Sequence, residues 1–252
     1  MEKKLNRPVG ELANRPLHFY WVIDCSGSMA EEKIGVVNHA IQESIQPMKD
    51  AAENNPNAQL YVPALKFATG ASWLTAEPVR IEDFAWEDLT IDDWAVTDLG
   101  KAFEMIAAQL DMPPMPSRAL PPVIVVLSDG LPTDDWKRPL EKLLSMPWGK
   151  KAVKVALAIG KGADRSVLEA FTGNKATVFD ASNPDMLVHL IKWASTIAST
   201  VAKPTTQQTS AEDPVDDIPP APLPIPLPIP LPAPIDDPPI DGPSSIIDVD
   251  VW

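Results

Sequence analysis

The sequence predicts an α/β protein: a doubly wound, Rossmann-like, mainly parallel sheet with helices on both faces, followed by a disordered Pro-rich C-terminal tail. Three observations lead there. The runs Leu17–Asp24, Val123–Asp129 and Ala152–Ile159 are almost unbroken apolar stretches, the composition of strands buried on both faces rather than on one. Segments with apolar residues at helical spacing alternate with them, which implies a parallel sheet covered on both sides. Residues 204–252 then hold 14 prolines, nine acids and no Lys or Arg, and no packed core is expected from such a composition.

In chain order, residues 1–15 form an N-terminal extension and Leu17–Asp24 the first strand. Ile34, Val37, Ile41, Ile45 and Met48 mark a helix face. Gln59–Phe67 and Ser72–Ile81 read as two strands joined at Thr69-Gly70-Ala71, a hairpin with an antiparallel edge strand. Leu99, Phe103, Ile106 and Leu110 recur at helical spacing from Asp98, and a Pro-rich break at Met112–Pro122 precedes the strand Val123–Asp129. Trp136–Met146 is helical despite Pro139, which a first turn tolerates. Ala152–Ile159 is a strand, Asp164–Thr172 a short helix, Ala176–Phe179 a last strand and Pro184–Val201 a closing helix. There is no internal repeat.

Three segments carry chemistry. Tyr20-Trp21-Val22-Ile23-Asp24-Cys25-Ser26-Gly27-Ser28 ends an apolar strand on an acid followed by two hydroxyls around a glycine. Mg²⁺ takes oxygen ligands in near-octahedral geometry and retains several waters, so one carboxylate and two hydroxyls on a tight Gly27 turn suit a hard cation. The bland alternative is a turn in which Ser26 or Ser28 caps the next helix. Thr97 stands where another helix begins and is open to the same alternative. Ser128-Asp129-Gly130 ends a second buried strand, and α/β sheets bind ligands at the carboxyl ends of such strands.

Together these segments resemble the metal-ion-dependent adhesion site (MIDAS) of the von Willebrand factor type A (VWA) family, over roughly residues 16–203. Asp24, Ser26, Ser28, Thr97 and Asp129 match its five side-chain positions in order. The resemblance implies that Ser26, Ser28 and Thr97 contact the metal, that Asp24 and Asp129 act directly or through water, and that a partner's Glu or Asp completes the shell. The few carboxylates favour Mg²⁺ over Ca²⁺, and Mn²⁺ suits the same donors. Arg15-Pro16-Leu17, Asp24–Met29, Thr97–Gly100 and Leu127–Asp135 look most like bacterial cytoplasmic tellurium-resistance proteins of the TerY type. That likeness implies a stress-response scaffold with protein kinase and PP2C-type phosphatase partners. An adaptor for an AAA+ ATPase is the alternative.

Composition narrows the classes further. The net charge is −14, of which −9 falls on residues 204–252 and −5 on the rest; an acidic chain without a basic tract repels nucleic acid. No apolar run reaches the roughly 20 residues that span a bilayer. A single cysteine, Cys25, and a polar start point to the cytoplasm; Cys25 itself reads as a buried filler. A metal-dependent phosphoryl-transfer or hydrolytic enzyme is disfavoured. The three histidines, His18, His39 and His189, lie away from the site segments, and neither a GxxxxGK[ST] loop nor a GxSxG turn is present. Lys150, Lys151 and Lys154 read as a solvated helix end. In the tail, Pro222–Pro234 predicts a polyproline II rod of about 40 Å. Residues 244–252 alternate Ile, Val and Trp with Asp, the pattern of a docking peptide in which Asp248, Asp250 and Trp252 bind a partner or, for the acids, the metal.

Overall fold

A computed structural model of the chain describes residues 15–29, 31–55, 58–75, 77–91, 94–129, 131–160 and 163–181. The expected closing helix Pro184–Val201, the tail 204–252 with Asp248, Asp250 and Trp252, most of the N-terminal extension, and Gly130 lie outside them.

The strands are β1 (Arg15–Asp24), β2 (Ala58–Tyr61), β3 (Ala64–Ala68), β4 (Gly70–Trp73), β5 (Val123–Ser128), β6 (Val153–Ile159) and β7 (Val178–Ala181). The helices are α1 (Glu31–Glu53), α2 (Leu99–Gln109), α3 (Lys137–Ser145), α4 (Pro147–Lys151) and α5 (Arg165–Thr172). They build a sheet of order β4-β3-β1-β5-β6-β7, with β2 also paired to β1. Every pairing is parallel except β3 with β4.

Alternation along β1 divides the core. Leu17, Phe19, Trp21 and Ile23 pack with Val37, Ile41 and Met48 of α1, whereas Tyr20 and Val22 join Phe103 and Ile106 of α2, Leu143 of α3 and Phe171 of α5. Successive strand side chains point to opposite faces, so helices on both sides require the continuous apolar run seen in the sequence. Asn38 of α1 ties the segment before α2 to the first face. Its amide donates to the Leu89 carbonyl at 2.9 Å and its side-chain oxygen accepts from the Leu89 N–H at 2.9 Å.

The predicted strand Gln59–Phe67 is two strands. Pro63 has no N–H to give a ladder, and β1 pairs first with β2 and then, beyond Trp21 N–H to Pro63 O at 3.0 Å, with β3. Ser72–Ile81 likewise stops as a strand at Trp73. The chain returns at residues 79–81, bonded to Leu60 and Val62. Lys154 is also not part of a solvated end. Its ammonium folds back onto the carbonyls of Gly149 and Ala152 at 3.2 and 3.1 Å, and burial lowers its pKa.

The order positions the site. From β1 the chain builds outward through β3 to β4, then crosses to β5 and builds the other way through β6 to β7. The direction reverses between β1 and β5, and a crevice opens at the carboxyl ends of strands flanking such a point. Asp24 ends β1, and Asp129 follows β5 directly.

Candidate metal centre

Parallel register places Ile23 against Leu127, which sets Ser128 beside Asp24 and carries Asp129 into the crevice. The Ser128 hydroxyl donates to Asp24 Oδ2 at 2.6 Å, and the Ser26 N–H donates to Asp24 Oδ1 at 2.9 Å. Ser26 Oγ and Ser28 Oγ lie 3.0 Å apart, and Ser28 Oγ donates to Asp129 Oδ1 at 2.7 Å. Four of the five predicted residues, Asp24, Ser26, Ser28 and Asp129, thus form one hydrogen-bonded cluster. Its walls are buried, but Ser28 is exposed. A short 3₁₀ turn over Gly27–Met29 produces this convergence, anchored by the fully buried Met29.

The fifth residue, Thr97, is held on the adjoining loop. Gly27 N–H donates to the Ala95 carbonyl at 3.3 Å, tying the two loops together. Thr97 is buried, and its backbone is clamped by Thr133: Thr97 N–H to Thr133 Oγ1 at 3.0 Å, Thr133 N–H to Thr97 O at 2.9 Å. Thr97 is not the cap of α2. Asp98 occupies that position without a side-chain cap bond, its carboxylate instead accepting from Gly70 N–H at 2.8 Å.

Two functional neighbours were not legible as such. Asp134, from the loop after β5, accepts from the N–H groups of Gly100 and Lys101, both at 3.0 Å. It caps α2 from outside the helix and complements its positive end. Gly100 is the residue that permits this, since a Cβ there would sit 2.7 Å from Asp134 Oδ2. Lys33, near the start of α1, donates to Asp129 Oδ2 and, at 2.9 Å, to the Ser28 carbonyl. The phrase Leu127–Asp135 contributed to the family likeness without giving Asp134 a role, and nothing marked Lys33.

Electrostatics fit a cation. Burial is the main force raising the Asp24 pKa, and the charge of Asp129 adds to it, against the hydrogen bonds from Ser128 and Ser26. Two carboxylates so placed favour a nearby positive charge. Among the described residues no three His, Cys, Asp or Glu side chains converge; the cluster itself offers two carboxylates and two hydroxyls, oxygen donors of the kind that Mg²⁺ and Mn²⁺ take. Burial, helped by Asp24, pushes the Cys25 thiol up to about 12, leaving it a neutral filler.

Exposed apolar side chains neighbour the site residues along the chain. Trp94 is 94 % exposed and Leu131 62 %, with Val96 also exposed; Trp94 and Val96 precede Thr97, and Leu131 follows the Asp129 turn. A cavity of about 330 Å³ opens beside Cys25, lined by Lys66, Thr69, Ser72 and Thr90. Among the described residues no helix is long and apolar enough to cross a membrane.

No protein-family model and no curated protein matches this chain. Solved structures do. A von Willebrand factor type A protein from Catenulispora acidiphila is similar with a TM-score of 0.54 at 15 % identity, over 74 % of this chain and 43 % of that one. The ArnB paralog VWA2 from Sulfolobus acidocaldarius gives 0.52 at 17 %, over 72 % and 45 %. Proximal thread matrix protein 1 from the mussel byssus, with a zinc-occupied MIDAS motif, gives 0.51 at 21 %, over 75 % and 47 %. At such identities the likeness establishes the fold, which is the mainly parallel α/β fold of VWA domains. The chain spans less than half the length of each of these structures.

Proposed function

We propose that the chain is a protein-binding module whose recognition depends on a divalent cation. The observation that carries this reading is the convergence of Asp24, Ser26, Ser28 and Asp129 at the point where strand order reverses. Asp24, Ser26, Ser28, Thr97 and Asp129 would hold the ion, Mg²⁺ in this reading, and its chemistry is to offer an open position to a partner's Asp or Glu. The chain's own residues supply the rest of the surface. Trp94, Val96 and Leu131 give the partner apolar contact around that position, the mixture of central polar anchor and exposed aromatic typical of recognition sites.

Binding rather than turnover suits the surroundings. Cys25 is a neutral thiol, His18 lies in the first half of β1, and His39 is exposed on α1. The carboxylate that the Ser28 hydroxyl faces, Asp129, is paired with the Lys33 ammonium, which weakens it as a base. The finer reading is a cytoplasmic scaffold of TerY type in a bacterial stress-response system, with kinase and phosphatase partners. It is supported by the sequence phrases around Asp24, Thr97 and Asp129. Asp248, Asp250 and Trp252 are proposed as a docking peptide at the end of the chain.

The test is a pull-down from source-cell lysate with wild type and Asp24→Ala, each with Mg²⁺ and with EDTA. A protein retained only by wild type with metal is the expected result. Equal retention in all four conditions would move recognition away from this face. Deleting 244–252 in the same assay is expected to reduce capture, and an unchanged result discards the docking peptide.

A further inference from the structure

Each carboxylate oxygen of the cluster accepts a hydrogen bond. Asp24 takes the Ser26 N–H and the Ser128 hydroxyl; Asp129 takes the Ser28 hydroxyl and the Lys33 ammonium. Of these four partners only Lys33 carries charge, and only Lys33 arrives on a long flexible stem with its side chain 36 % exposed. Its departure breaks no strand pairing and gives up, besides the bond to Asp129, only the one to the Ser28 carbonyl. The stem passes Gly160, where a Cβ would come within 3.3 Å of Lys33 Cε; the φ of 81° at that residue also favours glycine.

We propose that Lys33 is a tethered counter-ion to Asp129 that competes with the divalent cation for that carboxylate. The proposal rests on the reading of the site as a divalent-cation centre. A buried carboxylate pair without positive charge is strongly disfavoured, and Lys33 supplies that charge in this structure. A divalent ion held by Asp129, directly or through water, would meet the Lys33 ammonium at the same carboxylate, and two cations crowded there repel each other. Loading is therefore an exchange rather than an addition. It frees an ammonium at the rim beside the exposed Ser28, where an acidic partner would meet it together with the ion. Metal occupancy and partner attraction are then coupled through one side chain.

Isothermal titration of the full chain with MgCl₂ and with MnCl₂, on wild type, Lys33→Gln and Lys33→Arg, tests this alongside thermal unfolding in EDTA. Lys33→Gln is expected to bind metal about tenfold tighter, to melt lower in EDTA, and to gain more from Mg²⁺ than wild type does. Lys33→Arg, which keeps the charge, is expected to bind no tighter than wild type. Metal binding by Lys33→Gln where wild type shows none also supports the exchange, as does a Lys33→Gln protein that folds only with metal. Wild-type binding with an unchanged or weaker Lys33→Gln overturns the exchange alone, and so does equal tightening in both variants or a Lys33→Gln chain that folds in neither condition. If no variant titrates, the metal reading itself fails and the exchange with it.

Discussion

His18 is buried between two tyrosine rings, 6.0 Å from that of Tyr20 and 5.4 Å from that of Tyr61, and its Nδ1 has no hydrogen-bond partner among the described residues. Burial lowers its pKa from 6.5 to about 4. The folded chain thus keeps the ring neutral while the unfolded chain protonates below 6.5. Stability present above pH 6.5 is lost as pH falls toward 4, and the loss then levels off. The difference amounts to about 3 kcal/mol over that window. Urea unfolding at pH 7.5, 5.5 and 4.5 should show this decline in wild type, and His18→Phe should remove most of it. Asp24 and Asp129 act at the same scale but through a counter-charge. Asp129→Asn is expected to abolish Mg²⁺ binding in titration while leaving circular dichroism unchanged, because Asn keeps an acceptor for Ser28.

Among the elements, the junction of α3 and α4 has no spare volume. A Cβ on Gly149 would lie 1.8 Å from the Leu143 carbonyl oxygen. Gly149→Ala should therefore cost about 1–3 kcal/mol, read as a lower urea midpoint with an unchanged slope. The start of α2 depends on Asp134. Asp134→Ala should cost about 1 kcal/mol, and because Thr133 and Asp134 clamp the same loop that carries Thr97, metal affinity should weaken with it. A cap that only stabilised the helix would leave the titration unmoved.

These elements also separate what the sequence could disclose from what it could not. The strands β1, β5 and β6 were legible because burial on both faces leaves long apolar runs that only His18 and Lys154 interrupt. The hairpin at Gly70 was legible from turn chemistry. The division of β2 from β3 was visible as Pro63 but outweighed by the flanking apolar residues. Asp24, Ser26, Ser28 and Asp129 could be picked out because each lies at the end of a buried strand or within four residues of it, so that local sequence determines where it emerges. Lys33 and Asp134 reach the site from a helix and a loop, and their direction depends on tertiary packing that no short window contains.

Viewed whole, the molecule places its candidate centre at the only reversal of strand order in the described sheet and divides its charge unevenly, −9 of −14 lying in residues 204–252. Salt should then act in two ways. Raising ionic strength screens repulsion between the acidic stretch and the body within a Debye length of about 8 Å at 0.15 M. It should leave Mg²⁺ affinity less changed in a chain ending at 203 than in the full chain, a comparison titration can make directly.

The adjacency of β1 and β5 has one more consequence. Hydrogen-bonded strands keep a spacing of about 4.8 Å, so the two acids are mounted on a rigid gauge cut by the backbone. Evolution can redecorate the rim at Trp94, Val96 or Leu131 and so trade one partner for another. It cannot by those changes widen the gauge. A library randomised at the rim should yield new binding specificities that all retain the parent's preference among ions of different radius.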